Sequence, residues 1–148
     1  MFTTLLDKIV SILDANTLVQ EVHNFEKQKF DGDPVAVVSP SGNESDYNTI
    51  NANERIYSFA VRLFVSRTAR SGDSDKDADR VLRNLVDSVV DDIDKDFTFE
   101  GLVVPTGYCM INVFATPSQW GYSGAEDEYR VAEIIVRCRV NVDVTLIS

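Results

Sequence analysis

The C-terminal end of the chain carries an unbroken alternation of apolar and polar side chains. Its apolar members are Ala132, Ile134, Val136, Cys138, Val140, Val142, Val144 and Leu146. Successive side chains of a strand point to opposite faces of a sheet, so this period predicts one strand over residues 129–145 with a buried face and a wet or protein-contacting face. Usual strands have roughly 3–10 residues. We therefore expect this one to bend or to overhang its domain and offer an edge to a neighbour.

Other segments show either the same period or the helical one. Period-two alternation on Tyr57, Phe59, Val61, Leu63 and Val65 predicts a long strand over residues 55–66. Shorter strands are predicted at 34–39, 97–104 and 108–115. Apolar residues spaced three and four apart predict two helices, at 4–15 and 75–95.

The order of these elements indicates the fold class. Strands joined by short connections pair antiparallel, and amphipathic helices cover one face of the resulting sheet. A length of 148 residues fits a single domain. We predict one α+β domain over residues 1–148, mainly an antiparallel β-sheet with two helices packed on one face and a long C-terminal strand.

Two polar segments are predicted to be loops. Residues 40–53 are rich in Ser, Asn, Asp and Gly, and residues 116–127 contain Pro117, Trp120, Gly121, Tyr122 and Gly124. Loops of this length in a compact domain are usually functional or mobile. Exposed aromatic side chains in loops often anchor interfaces, so Tyr47, Trp120 and Tyr122 are candidate contacts to a partner. The alternative, that Trp120 folds back over the core, stays open.

The charge balance excludes a surface built to grip phosphates. Lys and Arg total 14 against 24 Asp and Glu, a net charge of −10, whereas nucleic-acid affinity comes mainly from cationic side chains. No apolar run approaches the roughly 18 residues that a membrane span needs. The first residues lack the basic segment of a secretory signal, so we expect synthesis in the cytoplasm and no membrane partner. Cys109 and Cys138 form no C-x-x-C pair and are expected to be reduced, buried thiols.

Motifs for catalysis, cofactors or metals are absent from the sequence. Residues 73–77 begin like a calcium loop, but Ala78 and Asn84 stand where the required Gly and Glu would be. The single histidine, His23, has no nucleophile motif around it. We therefore expect no enzyme, no cofactor and no metal site.

Opposite charges share the polar face of the C-terminal strand. Arg137 and Arg139 alternate there with Glu133 and Asp143, and Arg62 lies on the polar face of the 55–66 strand. Such a face suits a contact between subunits. A plain solvated outer face is the alternative that the sequence leaves open.

The organisation of the chain resembles that of the tail terminator, or tail completion, proteins of long-tailed bacteriophages and of related head–tail joining proteins. The likeness rests on the helix Thr4–Ala15, the strands Pro34–Pro40 and Glu54–Val65, the helix Asp77–Asp94 and the strand Tyr129–Thr145. The segments Arg55–Val61 and Glu128–Ala132 also have the character of this family.

The resemblance implies a structural virion protein rather than an enzyme. Members form rings, typically hexameric, that cap the last ring of the tail tube, fix tail length and present a docking surface to the head connector. The expected partners are the chain itself, the tail tube protein and a connector or neck protein, in the tail or neck of a virion. DNA would pass through the ring without specific binding. Acids near Asp91–Asp96, such as Asp91, Asp92 and Asp94, or acids of the 40–54 loop are therefore expected to face the lumen.

Three alternatives remain at this stage. The ring could belong to the head side, as a neck or connector protein. The acidic chain could instead be a decoy that occupies the site of a DNA-binding protein, or a small hydrolase that uses an acidic cluster and a metal.

Overall fold

Two helices and five strands make up the described parts of the chain. A computed structural model describes residues 1–25, 30–47, 52–67, 74–124 and 128–147, with the backbone alone for 43–47, 74 and 75. The elements are α1 (Phe2–Ala15), β1 (Glu21–His23), β2 (Val35–Tyr47), β3 (Ala52–Ser66), α2 (Ser74–Lys95), β4 (Tyr108–Ser123) and β5 (Tyr129–Asp143). In these ranges, neither helix has the length and apolar character needed to cross a membrane.

Both helices cover the same face of the sheet. α1 buries Leu5, Ile9 and Leu13. The buried stripe of α2 comprises Ala78, Leu82, Leu85, Val86, Val89 and Ile93. These side chains form one cluster with the inward positions of β2, β3 and β5. α1 begins two residues before the predicted start, and the ring of Phe2 packs edge-on against Tyr57 with centroids 4.7 Å apart.

Asn16 joins the end of α1 to α2. Its side chain is buried, and its amide nitrogen donates to Ser88 Oγ (2.9 Å) and to Asp92 Oδ2 (2.8 Å). Its amide oxygen accepts from the backbone N–H of Leu18. A buried amide with these partners fixes where the two helices meet.

The sheet has the order β1-β2-β3-β5-β4. β1 runs parallel to β2, and the other neighbours are antiparallel. The fold is therefore the α+β class predicted from the sequence, with a long last strand. The expectation that this strand overhangs and offers an edge is wrong, because β5 lies between β3 and β4. All 15 residues of β5 face a partner on β3, from Tyr129 opposite Ser66 to Asp143 opposite Ala52.

Most of the two predicted loops is strand. β2 continues through residues 40–47, and β4 continues from Thr116 to Ser123. Residues 48–51 and 125–127 of the predicted loops lie outside the described residues. The loops were predicted because Pro40 and Pro117 stand at their starts, and proline breaks a central strand. Proline is nevertheless tolerated at sheet edges and at bulges. Each proline stands at a register shift, between Pro40 and Gly42 and between Pro117 and Gln119.

The strand predicted at 97–104 is wrong. This segment forms turns, with Phe99 at φ +48° and Gly101 at φ +79°. The Asp96 carboxylate accepts from the N–H of Glu100, and Phe99 N–H donates to Asp96 O. These local bonds satisfy the backbone after α2, while the Phe99 side chain enters the core.

The last strand is shorter than predicted. β5 ends at Asp143 rather than at residue 145, because the Asp143 carboxylate accepts hydrogen bonds from the N–H and Oγ1 of Thr145. These bonds hold the pKa of Asp143 below its usual range. An Asp carboxylate that accepts from the backbone N–H two residues later forms a turn, and this turn takes the chain away from the neighbouring strand.

The face of the sheet opposite the helices, here called the open face, carries a smaller apolar cluster. Val35, Val37 and Phe64 are buried there, with Phe30, Tyr129 and Val131 packed beside them. The rest of this face is the polar side of β3 and β5. The candidate interface residues named from the sequence therefore stand on a surface that neither helix covers.

Candidate interaction surface

The open face holds two ion pairs between β3 and β5. Arg62 Nε lies 3.3 Å from Glu133 Oε2. Arg139 donates to Glu54 Oε1 through Nε (2.8 Å) and through Nη2 (2.7 Å). Both pairs are cross-strand contacts within one chain, so the alternation of charges already has an intramolecular role.

Arg137 differs from its two basic neighbours. It stands between Ser58 of β3 and Phe114 of β4 in the sheet register. Within the described ranges, no carboxylate forms an ion pair with Arg137, which is half-buried. Of the three arginines expected at a subunit contact, Arg137 is thus the one without an ion pair among the described residues, whereas Arg62 and Arg139 are paired. Asp143, by contrast, uses its carboxylate to close the turn after β5.

The three acids expected in a lumen lie on α2 but are not equivalent. Asp91 and Asp94 are exposed. Asp92 accepts from the buried Asn16 side chain and lies 3.9 Å from Lys95 Nζ. Asp92 therefore has a structural role that the sequence did not indicate.

The aromatic candidates lie on a strand rather than in a loop. Trp120 is 44% exposed and Tyr122 is 56% exposed, both on β4. The Tyr122 ring contacts two guanidinium groups, those of Arg67 (5.2 Å) and Arg130 (4.7 Å). Trp120 does not fold back over the core. Tyr47 is the last residue of β2, and its side chain lies outside the described residues.

Sequence patterns did not predict that β4 is a long, exposed and uncharged strand at the end of the sheet. β4 is the last strand in the sheet order, and Val113 is the single buried residue among its 16 positions. Its large exposed side chains are Ile111, Phe114, Trp120 and Tyr122. The segment Tyr108–Ser123 contains no Asp, Glu, Lys, Arg or His. That lack of charge, in a chain with 26% charged residues, was the signal available in the sequence.

A shallow depression of about 230 Å³ adjoins the far end of β4. Its lining consists of Arg62, Gln119, Trp120, Gly121, Tyr122, Val131 and Glu133. The Arg62–Glu133 pair thus borders an aromatic-lined hollow, an arrangement that suits a side chain of a protein partner.

No group of three metal-ligating side chains converges within the described residues. His23 bonds the carboxylate of Glu21, whose other oxygen accepts from the N–H groups of Asp31 and Gly32. Phe25 and Phe30 lie against its ring. His23 is thereby part of the packing around β1.

The two thiols have opposite environments. Cys138 is buried, and burial raises the pKa of its thiol to about 12. It therefore stays protonated and unreactive near neutral pH. The expectation that both thiols are buried is wrong for Cys109, which is exposed on β4.

Comparison with solved structures gives a fold match over almost the whole chain. One matching chain belongs to the virion of a native gene transfer agent (GTA) particle. The TM-score is 0.58 at 14% sequence identity, covering 93% of this chain and 94% of the other. The two proteins share a fold. No protein-family model matches the sequence, and no curated protein is similar to it.

Proposed function

We propose that this protein is a structural component of a phage-like virion, a ring that caps the tail tube, ends its elongation and provides the docking surface for the head. The observation that carries the proposal is the fold match to a chain of a virion, which spans 93% of this chain and 94% of the other. The resemblance in the order of elements to tail terminator proteins supports the finer assignment.

The surface is consistent with a protein that acts by assembly. A closed ring of identical subunits needs two different complementary patches on each copy. The chain exposes an apolar edge strand, β4. A net charge of −10 keeps the rest of the surface soluble and repels a DNA duplex in transit.

The ring is tested by light scattering on a sizing column over a concentration series, with negative-stain images of the peak. We expect a closed species of about six subunits of 16.5 kDa each, and caps on isolated tail tubes when the two are mixed. A head-side neck protein would form rings that bind the connector and do not bind the tail tube. A chain that stays monomeric at every concentration would contradict the ring.

Asp91 and Asp94 are proposed to line the lumen. Both are exposed on α2, and an acidic wall keeps the DNA backbone from adhering as it passes. We expect Asp91→Asn with Asp94→Asn to leave ring assembly intact and to slow DNA ejection from assembled particles. Asp7→Asn with Asp14→Asn removes the same charge from exposed positions on α1 and is the comparison. Normal ejection from particles with the 91/94 variant would refute the lumen assignment.

A further inference from the structure

Arg137 differs from the other cations because its charge has no partner within the described parts of the chain. Every other Lys or Arg side chain that the structure describes forms an ion pair, a hydrogen bond or a ring contact. Arg137 is nevertheless half-buried. Partial removal of a charge from water costs free energy, and a carboxylate supplied from outside the chain offsets that cost. Arg137 therefore marks a position that suits a partner of opposite charge.

The side chains around Arg137 on the open face are small or apolar. Directly opposite residues of antiparallel strands share a face, so Ser58 of β3 and Phe114 of β4 lie on either side of Arg137. Ile135 precedes Arg137 on the same face, and Arg139 follows it but is already in an ion pair. We call Ser58, Phe114, Ile135 and Arg137 the Arg137 patch. It presents one unpaired charge with apolar side chains beside it.

The turn after α2 has the complementary character. Glu100 is the single charged residue between Phe97 and Ser123. Its side chain is exposed and forms no ion pair with any described residue. Phe97 and Val103 are 57% and 87% exposed, and Val103 is the most exposed large apolar side chain in the described ranges. We call Phe97, Glu100 and Val103 the turn patch. Exposed apolar side chains of this size next to a lone acid are typical of an interaction site.

The fold holds the backbone of the turn patch in place. The Phe99 side chain lies in the core, between Phe97 and Glu100 in sequence. The N–H of Glu100 donates to the Asp96 carboxylate, and the carbonyl of Phe97 accepts from the N–H of Val113 on β4. A segment that is ordered before binding loses little conformational entropy when it docks.

We propose that the turn patch of one copy docks on the Arg137 patch of a second copy of this chain, with the Glu100 carboxylate paired to the Arg137 guanidinium. This contact rests on the proposed ring and names the two surfaces that build it. Phe97 and Val103 then cover the apolar side chains around Arg137 and keep water from the ion pair. Because the two patches are different surfaces, each copy uses one patch for one neighbour and the other patch for the next, as a ring requires.

Charge complementarity favours Glu100 of a second copy over the other exposed acids. The net charge of −10 makes copies repel one another over most of their surface. Asp87, Asp91 and Asp94 are exposed together on α2, so docking that cluster on one guanidinium would leave desolvated carboxylates without a partner. Glu100 brings a single acid to a single unpaired cation, and the apolar side chains beside each of them match.

The contact is tested by reversing the charge at each position. Arg137→Glu and Glu100→Arg each place like charges against one another, which costs free energy at an interface. We expect either variant to raise the concentration for half-assembly at least about tenfold in light scattering on a sizing column. Arg83→Glu and Glu128→Arg make the same exchanges at exposed positions outside both patches and should leave that concentration unchanged.

Mixing the two variants tests whether positions 137 and 100 meet between copies. In an equal mixture, the Arg137→Glu chain and the Glu100→Arg chain can alternate around an even-numbered ring, and every contact then joins opposite charges. We expect the mixture to recover most of the lost assembly, and the chain that carries both substitutions to do the same. A folding defect in either chain would persist in the mixture, so recovery there reports on the contact alone.

A second measurement leaves all charges unchanged. Val103→Ser removes an exposed apolar side chain from the turn patch, and Leu18→Ser makes a similar truncation at a residue that is 45% exposed after α1. We expect Val103→Ser to raise the concentration for half-assembly at least about fivefold, because apolar area is no longer buried at the contact. Leu18→Ser should have no effect. Both variants should match the unmodified urea midpoint.

The possible failures are distinguishable. Rings that form equally well with Arg137→Glu or Val103→Ser, or no recovery in the mixture of folded variants, would overturn the contact and leave the ring standing. Recovery that stops at a dimer would show a two-fold contact and overturn the proposed ring contact. An unmodified chain that is monomeric at every concentration would contradict both the ring and this contact.

Discussion

Phe59→Ala is expected to lower the free energy of unfolding by about 3–5 kcal/mol. Phe59 is fully buried, and its ring packs edge-on against Phe2 with centroids 5.7 Å apart. It stands opposite Val136 in the centre of the sheet, beneath α1. Truncation leaves a cavity between strand and helix that rigid neighbours cannot fill, so both the transfer free energy and the packing contacts are lost. Urea unfolding followed by circular dichroism measures the change.

Phe97→Ala is the matched control for Phe59→Ala. Its side chain is 57% exposed in the turn after α2, so the same truncation there should cost less than about 1 kcal/mol. A smaller loss at Phe59 than at Phe97 would place the core elsewhere than between the helices and the sheet.

Gly107→Ala is expected to lower the free energy of unfolding by about 2–4 kcal/mol. Gly107 has φ +90°, a conformation that L side chains rarely adopt. A Cβ there would lie 2.9 Å from Ile147 Cγ2 and 3.1 Å from the backbone oxygen of Asp143. The Gly107 carbonyl also accepts from Asp143 N–H. The substitution therefore strains the start of β4 and pushes away the segment that closes over it.

Two other glycines separate the causes of that loss. Gly101 has φ +79° with open space around its Cβ position, whereas Gly42 has open space and no positive φ. Alanine at 101 should show the conformational cost alone, about 1–2 kcal/mol. Alanine at 42 should be neutral within about 0.5 kcal/mol. Equal losses at 107 and 42, measured by the same urea titration, would contradict the crowding at the start of β4.

Local periodicity was enough to predict the elements whose two faces differ. Val136 and Arg137 alternate as buried and half-exposed neighbours, and the stripe of α2 is buried at Leu82, Leu85 and Val89. Burial of one face of a helix or strand requires apolar residues at these spacings. Each segment of the sequence therefore shows the period without information from the rest of the chain. The α+β class followed because such segments have few ways to cover one another.

The state of the charged residues at the candidate site depends on ion pairs and hydrogen bonds between residues that are far apart in sequence. No local pattern of the sequence contains these contacts. Arg62 and Arg139 have their acids on a neighbouring strand, 71 and 85 residues away in sequence. Asp92 was expected to face the lumen of a ring, yet its carboxylate accepts a hydrogen bond from Asn16, which is 76 residues distant in sequence. Tertiary contacts decide which charges are already satisfied within the chain and which remain for a partner.

The sheet also shows which features the sequence predicts and which ones depend on the tertiary structure. The sequence was enough to predict the long amphipathic strands and the two helices, because the hydrophobic pattern is a property of each segment. It did not determine that β5 would be enclosed by β3 and β4, or that Pro40 and Pro117 would be tolerated within strands. Strand order decides which backbone groups lack a partner, and only the assembled sheet sets that order. The tertiary structure therefore placed β4 last in the sheet and set the Val113 N–H against Phe97 O of the segment that follows α2.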